Sequence, residues 1–122
     1  MRKYVIATAV AAVATMGAVP SNAAVNTIVA VPGSGVAGYA TPRAVINRAA
    51  PATFVNLDAV TSPHDVTSVE ETSGTPPEPK IYTAVIDGGE TATIMFRGTL
   101  TAGDYEYYCS IHQNMRGTIT LQ

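Results

Sequence analysis

Glycine, proline, asparagine and aspartate recur so closely beyond residue 23 that no stretch there keeps a helical spacing of apolar residues. Ala44 to Ala52 is the richest in alanine, but Pro42 and Pro51 bracket it and its apolar residues keep no 3.6-residue period. The residues between the breaks are Val, Ile, Thr and Tyr, while Leu, Lys and Glu are scarce, and β-branched and aromatic side chains suit strands. Eight strands are expected: residues 26–31, 43–47, 53–57, 66–70, 82–86, 92–96, 103–109 and 117–121. Turn chemistry lies between them, in Pro32-Gly33-Ser34-Gly35, in 58–63, in 73–79 and in Asp87-Gly88-Gly89. No repeat or heptad is present. Short strands at this spacing imply an all-β fold, an antiparallel sandwich or a barrel. With 122 residues, 47% of them apolar, the chain is expected to build one domain with an ordinary core.

The N-terminus reads differently. Arg2 and Lys3 precede an apolar run from Tyr4 to Val19, Pro20 breaks it, and Ser21-Asn22-Ala23 offers small residues at a cleavage site. This is the layout of a secretory signal peptide. We therefore expect residues 1–23 to direct export to a periplasmic or other extracytoplasmic compartment, and residues 24–122 to form the mature domain. The competing reading is an uncleaved anchor, for which the apolar run is short. After cleavage no stable membrane insertion is expected. The run holds no cysteine for lipidation, and Arg2-Lys3 is not a twin-arginine pair. Beyond residue 23 five basic residues face nine acidic ones, a balance that argues against nucleic acid and suits solubility or a basic partner.

Cys109 is the single cysteine. Exported proteins usually pair their cysteines, so one alone needs a reason: inert packing, an intermolecular disulfide, a nucleophile or a metal ligand. Strand alternation puts Tyr105, Tyr107 and Cys109 on one face of 103–109, with Asp104, Glu106 and Tyr108 on the other. The charges mark the second face as solvent, so Cys109 points inward at the end of a strand. Thr118 and Thr120 alternate with Ile119 and Leu121 in the same way. The loop after the cysteine, Cys109-Ser110-Ile111-His112-Gln113-Asn114-Met115, carries a thiolate, an imidazole and a thioether at three-residue intervals, which a tight turn can aim at one point. His64, after Pro63, is the only other histidine. Taken singly, each residue has a plainer role: Cys109 and Met115 as core, His64 as a turn residue, His112 as surface. Two imidazoles, one thiolate and a weak axial thioether together are the ligand set of blue-copper electron-transfer sites. Zinc is the rival metal, although structural zinc sites use more cysteines and methionine is a poor zinc ligand. A Cys–His nucleophile is the rival chemistry, but it lacks a convincing base, orienting group and oxyanion pocket, and it leaves Met115 without a role.

At these residues the sequence resembles the small cupredoxins, the type 1 blue-copper proteins that include plastocyanin, pseudoazurin and amicyanin. Gly103-Asp104-Tyr105-Glu106-Tyr107-Tyr108-Cys109-Ser110-Ile111-His112 is similar to the family's Gly-x-Tyr-x-Phe/Tyr-x-Cys-x-x-His, and Met115-Arg116-Gly117 with residues 118–121 to its C-terminal end. The two-residue gap between His112 and Met115 is most like the short amicyanin loop. Phe54-Val55-Asn56-Leu57-Asp58, Pro63-His64-Asp65-Val66 and Tyr39-x-x-Pro42 resemble the segments around the first histidine. The resemblance implies a Greek-key β-sandwich of about eight strands, one copper held by His64, Cys109, His112 and Met115, and no enzymatic activity. It implies a monomer that docks transiently with redox proteins. The exposed edge of His112 would lie among apolar residues such as Ile111 and Val36, with Tyr108 as a second route. Two departures stand out. Asp65 occupies the place of an Asn that ties the ligand loops together. It can accept from Ser110, its backbone N–H can reach the Cys109 sulfur, and its charge should favour Cu(II). Arg48-Ala49-Ala50-Pro51 replaces a Gly-Asp turn. The expected function is a shuttle of single electrons between Cu(II) and Cu(I); the alternative is a cell-envelope copper-binding or delivery protein.

Overall fold

The computed structural model describes residues 23–69 and 76–122. The expected signal segment therefore lies, but for Ala23, outside the described residues. Nine strands and one helical turn make up the domain: β1 Thr27–Ala30, α1 Ser34–Ala37, β2 Arg43–Ile46, β3 Thr53–Asn56, β4 Thr67–Ser68, β5 Ile81–Tyr82, β6 Thr91–Thr93, β7 Met95–Phe96, β8 Gly103–Tyr108 and β9 Arg116–Leu121. They form two sheets, in the orders β1-β3-β6 and β2-β9-β8-β4-β5-β7. Among the described residues no helix is long and apolar enough to cross a membrane.

The expected all-β sandwich is the fold, with several differences from what the sequence implied. The pairing is mixed rather than antiparallel: β1 runs parallel to β3, and β2 parallel to β9. The chain passes from one sheet to the other between β1 and β2 and back again to β3, so neither β1 and β2 nor β2 and β3 are hairpin partners. Residues 92–96 serve both sheets. Thr91–Thr93 pairs with β3, Met95–Phe96 pairs with β5, and the buried Ile94 between them bonds through its N–H to Ala52 O at 2.8 Å. That division accounts for nine strands instead of eight. Finally, α1 contradicts the expected absence of helix beyond residue 23. It is a single turn entered through Gly33 in the left-handed region (φ 88°), too short for any periodicity to reveal.

Strand 82–86 is also shorter than expected. The Thr83 hydroxyl accepts the Val66 N–H at 3.0 Å while the Thr83 N–H bonds Val66 O at 2.9 Å, so a side chain takes over from the ladder. The ladder resumes only as a bridge between His64 and Ile86. The turn at Arg48-Ala49-Ala50-Pro51 is built without its Gly-Asp pair. Asn47 Oδ1 accepts from Ala49 N–H, and Asn26 Nδ2 donates to the carbonyls of Asn47, Ala50 and Pro51. Arg48 is anchored on Leu100 O and Gln122 O.

Alternation puts Ile28, Ala30 and Phe54 of one sheet against Ile46, Ile119 and Leu121 of the other, all within 1% of complete burial. Tyr107 faces Gly117 across the β8–β9 ladder, and a Cβ on Gly117 would come within 2.6 Å of the Tyr107 ring. Tyr39 packs on Tyr107 with centroids 4.7 Å apart and donates its hydroxyl to Asp65 O, while Tyr107 donates to Thr41 O at 2.8 Å. Burial pushes both phenols far above their ordinary value. A phenol held neutral by the fold adds stability below its unfolded pKa of about 10, and that stability is lost as pH rises above it. We expect stability by urea unfolding to fall steeply above about pH 10, and Tyr39→Phe to flatten that slope by roughly one proton, about 1.4 kcal/mol per pH unit.

Candidate metal centre

The β8–β9 ladder does not end at Tyr108. Cys109 N–H donates to Met115 O at 3.0 Å, and Met115 N–H donates to His112 O at 2.8 Å. These bonds close 109–115 into a compact loop and explain the three-residue spacing. The strand delivers Cys109 inward, one turn brings His112 back over it, and Met115 returns to the core. Cys109 and Met115 are fully buried and His112 is half-buried. His64 reaches the same place from the segment between β3 and β4. Its N–H bonds Ile86 O at 3.0 Å and Ile86 N–H bonds His64 O at 2.9 Å, and the residue is completely buried.

The Cys109 sulfur lies 3.8 Å from Nδ1 of His64 and 3.9 Å from Nδ1 of His112, and one donor atom from each of the three residues falls within 4.8 Å of the others. A metal in a trigonal plane, about 2.0 Å from nitrogen and about 2.3 Å from sulfur, needs donors roughly 3.5–3.8 Å apart. The sulfur–nitrogen spacing is therefore already that of a bound ion. The donor chemistry fits copper: thiolate suits Cu(I), and imidazole suits both oxidation states.

Burial pushes the Cys109 thiol up, against the backbone N–H groups of Asp65, Ile111 and His112, which point at the sulfur and pull it down. The expected approach of the Asp65 N–H to that sulfur is thus present. Asp65, 4% exposed, ties the two halves of the site together. Its Oδ1 accepts from Ser110 N–H at 2.7 Å, and its Oδ2 accepts from the Ser110 hydroxyl at 2.6 Å and the Thr67 hydroxyl at 3.2 Å. A carboxylate can occupy the Asn position because every neighbour there donates.

The outer edge of the site has two parts. Ile111 is 46% and Val36 86% exposed, and Asn114 Nδ2 donates to Val36 O at 3.4 Å, which docks α1 beside the ligand loop. A Cβ on Gly35 would stand 3.1 Å from the His112 ring, so glycine lets the backbone of α1 cover that ring. On the opposite side Tyr108 is half-buried, and the Arg116 guanidinium lies 5.2 Å from its ring centroid.

Two residues of the site were given no role in it from the sequence. Gly35 sits in a turn, and Asp58 lies six residues before His64, a spacing with no structural period. Yet Asp58 Oδ2 meets Nε2 of His64 at 2.9 Å. That imidazole N–H, followed by the Ala59 N–H, holds the Asp58 carboxyl below the usual carboxylate range.

Residues 26–122 match the sequence profile of the copper binding proteins of the plastocyanin/azurin family. The most similar folds include a purple cupredoxin from Nitrosopumilus maritimus, with a TM-score of 0.60 and 22% identity, covering 79% of this chain and 98% of that one. A reduced amicyanin variant gives a TM-score of 0.56 at 23% identity, covering 85% and 86%. A copper-containing nitrite reductase from Thermus scotoductus gives 0.57 at 28% identity, covering 79% of this chain but 22% of that larger one. No curated protein sequence matches. The two-sheet fold and the His–Cys–His cluster define a cupredoxin. The chain belongs to the copper-binding plastocyanin/azurin family: a copper electron-transfer protein whose cofactor is copper.

Ser110→Ala removes one donor from a buried carboxylate, so we expect it to cost about 1–2 kcal/mol in urea unfolding of the metal-free protein.

Proposed function

We propose that the protein is an exported type 1 blue-copper carrier that shuttles single electrons between redox proteins and catalyses no reaction of its own. The observation that carries this reading is the buried sulfur of Cys109, with one nitrogen of each histidine 3.8–3.9 Å away. In this reading Cys109, His64, His112 and Met115 would hold the ion. Copper bound there supplies reversible one-electron exchange between Cu(II) and Cu(I).

The chain's own residues then have separate tasks. Cys109 gives the strong thiolate bond, and the Asp65, Ile111 and His112 N–H groups pointing at its sulfur draw off charge and stabilise the reduced state. Cys109 N–H and Met115 N–H lock the loop, so little protein has to move when an electron arrives. Full burial of His64, Cys109 and Met115 keeps water out. His112, half-buried, is the natural exit, and Ile111 and Val36 form an exposed apolar rim for brief docking by a monomer, where contacts are small and weak. Tyr108, directly before Cys109 on the outer face, offers a second route. Export rests on the N-terminal pattern, and it suits a lone cysteine kept from oxidation by burial and metal.

Reconstitution of the mature protein with Cu(II), followed by visible spectroscopy and redox titration, tests the reading. We expect an intense thiolate-to-copper band that Cys109→Ala abolishes. Met115→Gln should keep copper and lower the potential, and a blue Cys109→Ala protein would end the proposal. Asp65→Asn removes a negative charge near the sulfur, so its potential should lie above that of the native protein; an equal or lower value would count against the role given to Asp65.

A further inference from the structure

The two histidines of the cluster stand in unlike surroundings. Among the described residues one histidine meets a carboxylate, and it is the buried member: Nε2 of His64 lies 2.9 Å from Oδ2 of Asp58, with the two side chains 1% and 9% exposed. His112 is half-buried and is packed by Gly35 instead.

The pair is built, not incidental. Asn56, completely buried, ends β3 and straps the following loop. Its Nδ2 donates to Ser62 O at 2.9 Å and Ile86 O at 3.0 Å, and its Oδ1 accepts from Asp58 N–H at 3.0 Å. Ala59 N–H occupies Oδ1 of Asp58 at 2.7 Å, which leaves Oδ2 for the imidazole. Gly88 braces the loop from below, since a Cβ there would fall 2.1 Å from the Asp58 and Ala59 carbonyl oxygens. Asp58 also meets the Gly33 N–H at the entrance to α1, the turn whose Gly35 covers His112.

We infer that Asp58 is the positioning residue of this centre: it holds the His64 proton on Nε2, turns Nδ1 toward the metal, and by its fixed negative charge biases the site toward Cu(II). This rests on the copper reading above. A carboxylate can accept only from a protonated nitrogen, so in the neutral imidazole, the form that can bind a metal, Asp58 on Nε2 leaves the lone pair on Nδ1, the atom that faces the Cys109 sulfur. A negative charge behind a ligand also makes the imidazole a better donor, which favours the higher oxidation state. The pair is shielded from water, so the charge is weakly screened. Its loss should change the preference for Cu(II) over Cu(I) by about tenfold, or about 59 mV for one electron.

The test uses Asp58→Asn, Asp58→Ala and, as a control for net charge, Asp104→Asn at an exposed position. Long-range 15N–1H spectra of the metal-free proteins read the His64 tautomer, and redox titration of the copper proteins reads the potential. The native protein should show Nε2–H on His64. Asp58→Asn, whose amide oxygen can still accept, should keep that tautomer and raise the potential about tenfold in the Cu(II)/Cu(I) ratio. Asp58→Ala should admit the Nδ1–H tautomer and bind copper roughly 10–100-fold more weakly. A native Nδ1–H tautomer, or a blue Asp58→Asn protein whose potential matches the Asp104→Asn control, overturns the inference alone. A native protein that binds copper without colour overturns the copper reading and this inference with it, and the colour tells the two failures apart.

Discussion

The antiparallel pairing of β8 with β9 governs the rest of the molecule. Its register sets Tyr107 against Gly117 and sends Cys109 into the core, and the same ladder is prolonged by the bond from Cys109 N–H to Met115 O. A single residue of slip would turn Cys109, Tyr107 and Tyr105 outward and bring Glu106 and Asp104 inside. Buried charge and an exposed aromatic face make that slip prohibitive. The site is therefore specified by the hydrophobic pattern of two strands before any metal is considered.

That is also why so much was legible in the amino-acid sequence. Alternation in 103–109 and 117–121 gives both the face and the depth of Cys109, and the burial of Tyr107, Cys109, Ile119 and Leu121 agrees with it. What escaped has physical reasons. A four-residue helix shows no period, the division of 92–96 between sheets turns on one buried residue, Ile94, and the Thr83 hydroxyl replaces a ladder bond in a way that propensity does not register. Asp58 escaped because its meeting with His64 is made by the loop path, which depends on Asn56, Gly88 and Ile86 together. Asp65 was legible as a departure. Its tolerance followed only once Ser110 N–H, Ser110 Oγ and Thr67 Oγ1 were all seen to donate to it.

The electrostatics divide the centre into an inner and an outer half. On the inner side lie two carboxylates, Asp58 behind His64 and Asp65 behind the sulfur's loop, both well shielded. On the outer side lie His112, the glycine backbone of α1 and exposed aliphatic side chains. The carboxylates sit in the shielded half, and the rim beside His112 carries the exposed aliphatic side chains Ile111 and Val36. The two halves are joined at one point, where Asp58 meets the Gly33 N–H at the entrance to α1.

The spacing of the donors along the chain has a consequence for assembly. Cys109, His112 and Met115 fall within seven residues, whereas His64 stands forty-five residues before Cys109. An unfolded chain thus already presents a local thiolate–imidazole–thioether chelate to any metal it meets. Metal captured by that loop stabilises the unfolded chain as well as the native one, and only the surplus from the distant, buried imidazole favours the native state. Closure of the 45-residue span by His64 would then be the step at which metal binding favours folding, and the Asn56 bonds to Ser62 O and Ile86 O hold the loop that presents His64.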